Sequence, residues 1–290
     1  MDLTREFLKA KNPCAEGYRW FLRHYKTGSD YQELLDALVS GGRVNDALWV
    51  LSQFGPTHTL RVIDDLDAEV VVFAGSLEVR GNVEVGSLLR VGRNLYATGG
   101  VRVDGSLLVG EDFLTDGQLR CRGPVQTGGN IKTGWGIDTE GDIVCNGDLR
   151  VAWDLRSNGK LCVANNARIG KDLVVRGKLE CGKSLRVAGN IATEDAILVG
   201  QGILAGGSIT CATHLETGFG IKAGQSISAG GAIRVGESLM AVGQITAGKG
   251  YGIFAGLNVQ LEEWPDSGKV CASSQPHPLM SGLWQGACPT

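Results

Sequence analysis

Residues 131–151 read Ile-Lys-Thr-Gly-Trp-Gly-Ile-Asp-Thr-Glu-Gly-Asp-Ile-Val-Cys-Asn-Gly-Asp-Leu-Arg-Val, and they contain the repeat that decides the fold. A large aliphatic residue returns every six positions. The same spacing runs without a slip over residues 77–257, where only Phe113, Ala167 and Tyr251 replace Leu, Ile or Val. Neither a helix nor an ordinary strand has a period of six. The stacked turns of a β-solenoid do have it.

A second column of smaller residues lies two positions after each large one. From Val79 to Ala247 this position holds Val, Ala, Thr or Cys, and only Ser157 and Ile169 depart from the rule. Because residues two apart in a strand share a face, each hexad should direct one large and one small side chain inward. Glycines follow at the corners, where we expect a positive φ that glycine tolerates.

Three hexads are expected to close one turn of a triangular coil, so that residues 18 apart stack on the same face. The repeat would then form about ten turns, and at about 4.8 Å per turn the rod would be about 50 Å long. We therefore predict a mainly β protein, a single-stranded triangular β-solenoid with a small N-terminal α-helical module. The small residue follows the large one, whereas it precedes it in left-handed hexapeptide acyltransferases, so a right-handed coil is favoured.

The style of the repeat resembles known bacterial proteins. The run Gly-Ser-Leu-Glu-Val-Arg-Gly-Asn-Val-Glu-Val-Gly at 75–86 resembles bactofilins, whose right-handed triangular β-solenoids polymerise end to end. The runs Ile-Lys-Ala-Gly at 221–224 and Ile-Phe-Ala-Gly-Leu at 253–257 resemble the Ile-x-Ala-Gly repeats of uncharacterised bacterial and phage-borne proteins. The resemblance covers about residues 70–257 and transfers no functional residues. It implies a filament subunit as one alternative function.

The chain divides into four predicted segments. Residues 1–55 should form the helical module, residues 56–76 an irregular lead-in, residues 77–257 the solenoid, and residues 258–290, which lose the phase, a C-terminal cap. Because the ends of a solenoid expose unpaired backbone and apolar core, we expect the two terminal segments to cover them. Covered ends would prevent polymerisation and leave a monomer or a small oligomer.

Four helices are predicted in the N-terminal module. The first should span residues 3–10 with Asp2 as its cap. The third should begin at Ser29, which fits a capping box together with Gln32. The fourth should begin near Asn45.

Composition and charge argue against several classes of partner. A net charge of −3 and a pI of about 5.9 give no bulk attraction to nucleic acid or to membranes. No secretory signal is evident, and no apolar run approaches the roughly 20 residues that span a bilayer. We therefore predict a cytoplasmic protein with neither nucleic-acid nor membrane partners.

The cysteines fit the same compartment. Four of the eight occupy the small inward column: Cys121, Cys145, Cys181 and Cys211. We expect them to be buried free thiols that act as small hydrophobic side chains. No Cys-x-x-Cys motif occurs and the four histidines are dispersed, so neither a metal site nor a bound cofactor is predicted.

The outward residues carry the main functional signal. The residue after each large aliphatic one should point outward, and on one face it is cationic in four successive turns: Lys132, Arg150, Arg168 and Arg186. Like charges about 4.8 Å apart repel one another unless acids neutralise them. Asp154 and Asp172, each four positions after an arginine, are candidates within the rod. The alternative is an acidic partner surface.

Two tryptophans adjoin these cations. Trp135 and Trp153 are 18 positions apart and Lys171 follows at the same spacing, so the three side chains should stack at one corner. A corner among glycines offers little room for an indole, so we expect both rings to point outward. Exposed Trp beside Arg is typical of interface hot spots. The predicted partner-binding residues are therefore Lys132, Trp135, Arg150, Trp153, Arg168, Lys171 and Arg186.

No catalytic residues are predicted. His214 is the only histidine in the repeat, no loop interrupts the period, and the Gly-x-Gly patterns lie at corners rather than between a strand and a helix. We expect a non-catalytic binding protein that presents one rigid face to an acidic protein surface, for example an immunity protein that inhibits a bacterial toxin. A bactofilin-like filament subunit is the second hypothesis, and a hexapeptide-repeat enzyme that modifies acyl or sugar groups is a distant third.

Overall fold

Most of the chain is a coil of parallel strands, each paired with the strands one turn before and one turn after it. The computed structural model describes residues 2–25 and 28–287. Leu149 lies opposite Ile131 of the preceding turn and Ala167 of the following turn, so one turn takes 18 residues. The coil has about 12 turns, against about ten expected. The prediction of a mainly β solenoid with a small helical module is confirmed.

The strands form three faces. The first face is a 13-stranded sheet made of Leu60–Ile63, Ser76–Val79, Leu95–Ala97, Phe113–Thr115, Ile131–Thr133, Leu149–Val151, Ala167–Ile169, Leu185–Val187, Ile203–Ala205, Ile221–Ala223, Leu239–Ala241, Lys269–Cys271 and Leu283–Trp284. Two long strands, Leu66–Phe73 and Val83–Val91, begin both other faces. The second face continues with Val101–Val103, Leu119–Cys121, Ile137–Thr139, Leu155–Ser157, Leu173–Val175, Ile191–Thr193, Ile209–Cys211, Ile227–Ala229 and Ile245–Thr246. The third continues with Ser106–Val109, Val125–Thr127, Ile143–Cys145, Leu161–Val163, Leu179–Cys181, Ile197–Val199, Leu215–Thr217, Ile233–Val235, Ile253–Phe254 and Leu279–Ser281.

The core of the coil follows the two inward columns. In the regular three-residue strands the first and third side chains are buried and the middle one faces outward. Leu149, Leu161, Leu185 and Ile209 are at most 1% exposed, as the period predicts. Polar members of the small column bond to the backbone; the hydroxyl of Thr139, for example, donates to the Gly123 carbonyl at 3.1 Å. This pairing is what permits a polar side chain in an otherwise apolar core.

The corner glycines have a different cause from the one expected. None of the described glycines between residues 56 and 249 has a positive φ. What requires glycine is close approach between successive turns. A Cβ added at Gly123 would lie 2.6 Å from the carbonyl oxygen of Gly105, one turn earlier. The stacked corners therefore leave no room for a side chain that starts in this direction.

A ladder of polar residues holds the corner that precedes the first face. Each of its side chains accepts the backbone N–H of the residue one turn later: Ser76, Asn94, Asp112, Asn130, Asp148 and Asn166. The side chain of Asp148 accepts from the N–H of Asn166 at 3.1 Å, for example. We call this set the Asn/Asp ladder. It satisfies corner backbone groups that the strand pairing leaves free.

The N-terminal module contains four helices: α1 (Arg5–Ala10), α2 (Ala15–His24), α3 (Tyr31–Ser40) and α4 (Val44–Phe54). Their caps differ from those predicted. Thr4 rather than Asp2 caps α1, and Asp30 rather than Ser29 caps α3 by accepting the N–H of Gln32 at 2.9 Å. Ser29 is instead paired with Leu3 in the short antiparallel strands Asp2–Leu3 and Ser29–Asp30.

The helical module packs on the first turn of the coil. Val72 and Ala74 are buried in the same apolar cluster as the residues of α3 and α4. The Gln32 carboxamide accepts the N–H of Ala74 at 2.9 Å and donates to the carbonyl of Val72 at 2.9 Å. Because the chain has no earlier turn at this point, the Gln32 side chain takes the place of a neighbouring peptide group.

Both ends of the coil extend beyond residues 77–257. Residues 56–76 are not irregular, because Leu60–Ile63 and Leu66–Phe73 already pair with the next turn. At the other end, Lys269–Cys271 and Leu279–Ser281 continue the first and third faces. Between them lie a 3₁₀ helix (Leu261–Glu263) and α5 (Trp264–Ser267).

Candidate functional site

The predicted cations form one straight column on the first face. Strand pairing places Lys132 opposite Arg150, Arg150 opposite Arg168, and Arg168 opposite Arg186. All four side chains are exposed. Neighbouring strands are about 4.8 Å apart, so the charges of this cationic column lie closer together than ordinary surface charges.

Acids of the rod neutralise only one member of the column. Arg150 lies 3.7 Å from Asp148 of the Asn/Asp ladder. Among the residues that the structure describes, Lys132, Arg168 and Arg186 have no carboxylate within 4.0 Å. The column therefore carries uncompensated positive charge on at least three successive or near-successive turns.

The acids expected to neutralise the column serve other groups. Asp154 accepts the N–H of Asp172 at 3.1 Å and lies 3.9 Å from the guanidinium of Arg156, on the second face. Asp172 accepts the N–H of Asn190 at 2.6 Å. Both carboxylates are thus turned toward the corner backbone, because corner N–H groups lack partners of their own there. The expectation that they pair with Arg150 and Arg168 is wrong.

The two tryptophans stack at the corner between the first and second faces. The rings of Trp135 and Trp153 lie 5.4 Å apart between centroids, with 8° between their planes. They are 57% and 41% exposed, so both point outward. The Nζ of Lys171 lies 3.6 Å from the centroid of the Trp153 ring, a cation–π contact that ends the stack on one side. We call these three residues the tryptophan corner.

A cleft borders the tryptophan corner on the side of the second face. It has a volume of about 150 Å³ and is lined by both rings together with Gln118, Asp138, Asp154 and Arg156. The cationic column lies on the other side of the same corner. The seven predicted residues are therefore neighbours along one edge of the rod. Their ammonium, guanidinium and indole groups can bind anions, cations and flat apolar surfaces, and they include no nucleophile or general base.

Sequence reasoning missed a groove on the third face. It has a volume of about 700 Å³ and is lined by Val144, Cys162, Leu198 and the small corner residues beside them, with Leu257 and Asn258 at one end. Its charges pair with one another, since Arg234 lies 3.5 Å from Glu216. The available signal was the outward column of this face, which carries Val144 and Leu198 where the first face carries cations.

A smaller apolar pocket lies in the helical module. It has a volume of about 170 Å³ and is lined mainly by aromatic and aliphatic side chains, including Trp20, Phe21 and Trp49. The exposed Cys14 caps α2 at its mouth by accepting the N–H of Gly17 at 3.2 Å. Asp46, the pocket's carboxylate, lies 2.5 Å from Arg43.

The core cysteines behave as small hydrophobic residues. Cys121, Cys145, Cys181 and Cys211 are buried and free of disulfides. Burial raises the pKa of Cys121 and of Cys211 to about 11. Within residues 2–25 and 28–287, no group of three or more His, Cys, Asp or Glu is placed to hold a metal ion. In the same residues no helix has the length and apolar character needed to cross a membrane.

Comparison with known proteins identifies only the helical module. Residues 1–56 match the family model described as the YdhT N-terminal domain. No curated protein matches the chain significantly. No solved structure matches it significantly either. The match ends where α4 ends and does not extend to the cationic column or the tryptophan corner.

Proposed function

We propose that this chain is a non-catalytic, cytoplasmic binding protein whose first face engages an acidic surface of another protein. The observation that carries the proposal is the cationic column, in which Lys132, Arg168 and Arg186 are exposed and have no acid of the described chain within 4.0 Å. Holding such charges in register is unfavourable in the free rod. The same charges become favourable when carboxylates of a partner accept bidentate hydrogen bonds from the guanidinium groups.

The tryptophan corner supports the same function. Charge alone gives fast association and orientation but modest affinity. Trp and Arg dominate the residues that contribute most to protein interfaces. An immunity protein that covers a bacterial toxin or enzyme is a concrete form of this function, because an inhibitor needs a rigid, preformed surface and no chemistry of its own.

Matched baits test the proposal. Wild type, the variant Arg150→Glu with Arg168→Glu, and a control Arg80→Glu with Arg176→Glu would each be used for affinity capture, and the captured protein would then be purified and its binding titrated. We expect wild type and control to bind alike, binding to weaken with salt, and the column variant to lose about 100-fold in affinity. Far-ultraviolet spectra and melting temperatures should be unchanged, since all four positions are exposed.

Two outcomes would overturn the proposal. One is equal affinity of the column variant and wild type for the purified partner. The other is wild-type bait that retains nucleic acid rather than protein, in an amount that nuclease treatment removes.

A filament subunit is the second candidate, because apolar side chains are exposed on the outermost strands of the first face. Leu60 and Val62 are 58% and 42% exposed at its first strand, and Leu283 is 39% exposed at its last. Joining these ends would bury them and continue the sheet. Sedimentation and electron microscopy at rising concentration decide the matter. Filaments favour this candidate, and a monomer or small oligomer favours the binding protein.

A further inference from the structure

The stack of rings at the tryptophan corner is closed at one end and open at the other. Lys171 covers the far ring face of Trp153. The equivalent position on the other side, one turn before Trp135, is Gly117, which has no side chain to offer. Gly99 occupies the same column one turn further out. In the described part of the chain, Trp153 is the only ring recorded against the Trp135 ring.

The geometry explains why the chain does not close this end itself. A Cβ added at Gly117 would lie 2.5 Å from the carbonyl oxygen of Gly99. A side chain rooted there would collide with backbone that cannot move away. The outer face of Trp135 is therefore left for a group that comes from outside the chain. Since turns are about 4.8 Å apart, the space over Gly117 has the height of one planar group.

The charge beside this space is negative. Asp116, next to Gly117, is exposed and has no cation within 4.0 Å among the described residues. Its Oδ2 accepts the hydroxyl of Tyr96 at 2.9 Å, which holds the carboxylate in place and raises the pKa of Tyr96. Asp138, on the cleft side, lies in register with Arg120 of the preceding turn. The open end of the stack therefore differs in sign from the cationic column.

We propose that the outer face of Trp135, with Asp116, is a slot for one arginine side chain of the partner. The proposal rests on the proposed function, because it assigns a specific anchor to the same interface. A guanidinium is planar, stacks on an indole face and can pair with a carboxylate in a bidentate manner. It would complete a cation–Trp–Trp–cation stack whose other end Lys171 already forms. A phosphate or a carboxylate would be repelled by Asp116.

N-acetyl-L-arginine amide is the direct probe. In ¹⁵N-labelled protein, the indole N–H of Trp135, assigned from the Trp135→Phe spectrum, should shift saturably with this compound. The other indole signals should stay in place, and the uncharged N-acetyl-L-glutamine amide should have no effect. Asp116→Asn should weaken the binding by roughly threefold, as expected for an exposed ion pair. Asp64→Asn, a control at an exposed aspartate elsewhere on the rod, should leave it unchanged.

The failure of this proposal is separable from that of the proposed function. Equal shifts with arginine and glutamine amides, equal shifts of several indoles, or no effect of Asp116→Asn would overturn the slot. None of these results changes the capture experiment. Conversely, Arg150→Glu with Arg168→Glu should leave the binding of arginine amide intact even where it abolishes partner binding. With the purified partner, the slot requires Trp135→Ala and Asp116→Asn each to reduce affinity, and an unchanged affinity in Asp116→Asn would contradict it.

Discussion

The indole of Trp153 is held between two groups, the ring of Trp135 at 5.4 Å and the Nζ of Lys171 at 3.6 Å from its centroid. All three belong to successive turns, so the spacing of the coil itself sets the spacing of the stack. A surface assembled in this way needs no loop to support it. Its rigidity is that of the sheet beneath.

Replacing Lys171 tests the strength of this contact. Lys171→Gln removes the cation but keeps a long polar side chain, so we expect a loss of about 0.5–1 kcal/mol in the free energy of unfolding. Lys222→Gln, an exposed lysine on the first face without a ring partner, is the matched control and should have almost no effect. Urea denaturation measures both. Equal losses would show that the ring contact does not stabilise the fold.

The buried column should respond strongly to truncation. Leu149 is fully buried, and Leu149→Ala leaves a cavity in a core with no loop to collapse into it. We expect a loss of about 2–5 kcal/mol. Leu261→Ala is the same chemical change at a residue that is 71% exposed, and it should stay within about 0.5 kcal/mol of wild type. Chemical denaturation of the two variants side by side checks the difference.

The Gln32 contact to the first turn should matter out of proportion to its size. Gln32→Ala would leave the N–H of Ala74 and the carbonyl of Val72 without partners in a partly buried place. We expect a loss of about 1–3 kcal/mol and a greater tendency to aggregate through the bared edge. Gln53→Ala, whose amide bonds only to Ser52 of the same helix, is the control. Light scattering should rise for the first variant alone.

The Asn/Asp ladder predicts a dependence of stability on acid. Hydrogen bonds from the backbone and side chain of Asn166, and then the charge of Arg150, lower the pKa of Asp148. A carboxyl group whose pKa is lower in the folded chain stabilises it above its ordinary pKa of about 3.9, and that contribution is lost as the pH falls through the folded value. Asp148→Asn keeps the accepting oxygen, so its melting temperature should lie below wild type at neutral pH and approach it in acid. A constant difference across this range would contradict the prediction.

The thiols should divide by burial. Native protein treated with iodoacetamide at neutral pH should be modified at the exposed Cys14, whereas Cys121 and Cys211 should react only after unfolding. Burial raises the pKa of both core thiols to about 11, and the thiolate is the reactive form. Peptide mass spectrometry gives the extent at each site. Modification of Cys121 as fast as Cys14 would mean that the coil opens readily.

The parts predicted correctly from the sequence are those that the period alone determines. A residue such as Leu149 is buried and Arg150 exposed because the coil repeats without a slip, and the same repeat stacks Trp135 on Trp153. The start of the coil was missed because its register differs. Arg61 lies opposite Leu77, a spacing of 16 rather than 18, so the strand Leu60–Ile63 falls out of phase with the later turns.

Side-chain direction at the corners also lay beyond the period. Asp154 was expected to approach an arginine of the first face, but it turns to the unpaired N–H of Asp172 instead. The spacing of residues gives their column and not the hydrogen bonds that rotate a side chain within it. For the same reason, the repeat indicated that the tryptophans stack but not that Gly117 leaves one ring face open.

A turn of 18 residues separates the length of the rod from the identity of its faces. Inserting or deleting a whole turn would change the reach of the molecule and leave every later column where it was. Inserting one hexad would keep each aliphatic residue in the core, yet it would carry all that follows around to the next face, so that Lys132 and Arg150 no longer adjoined. Sequence changes in steps of six are thus tolerated by folding, while recognition tolerates only steps of 18. Natural variation in such a chain can lengthen the molecule without redrawing its contact surface.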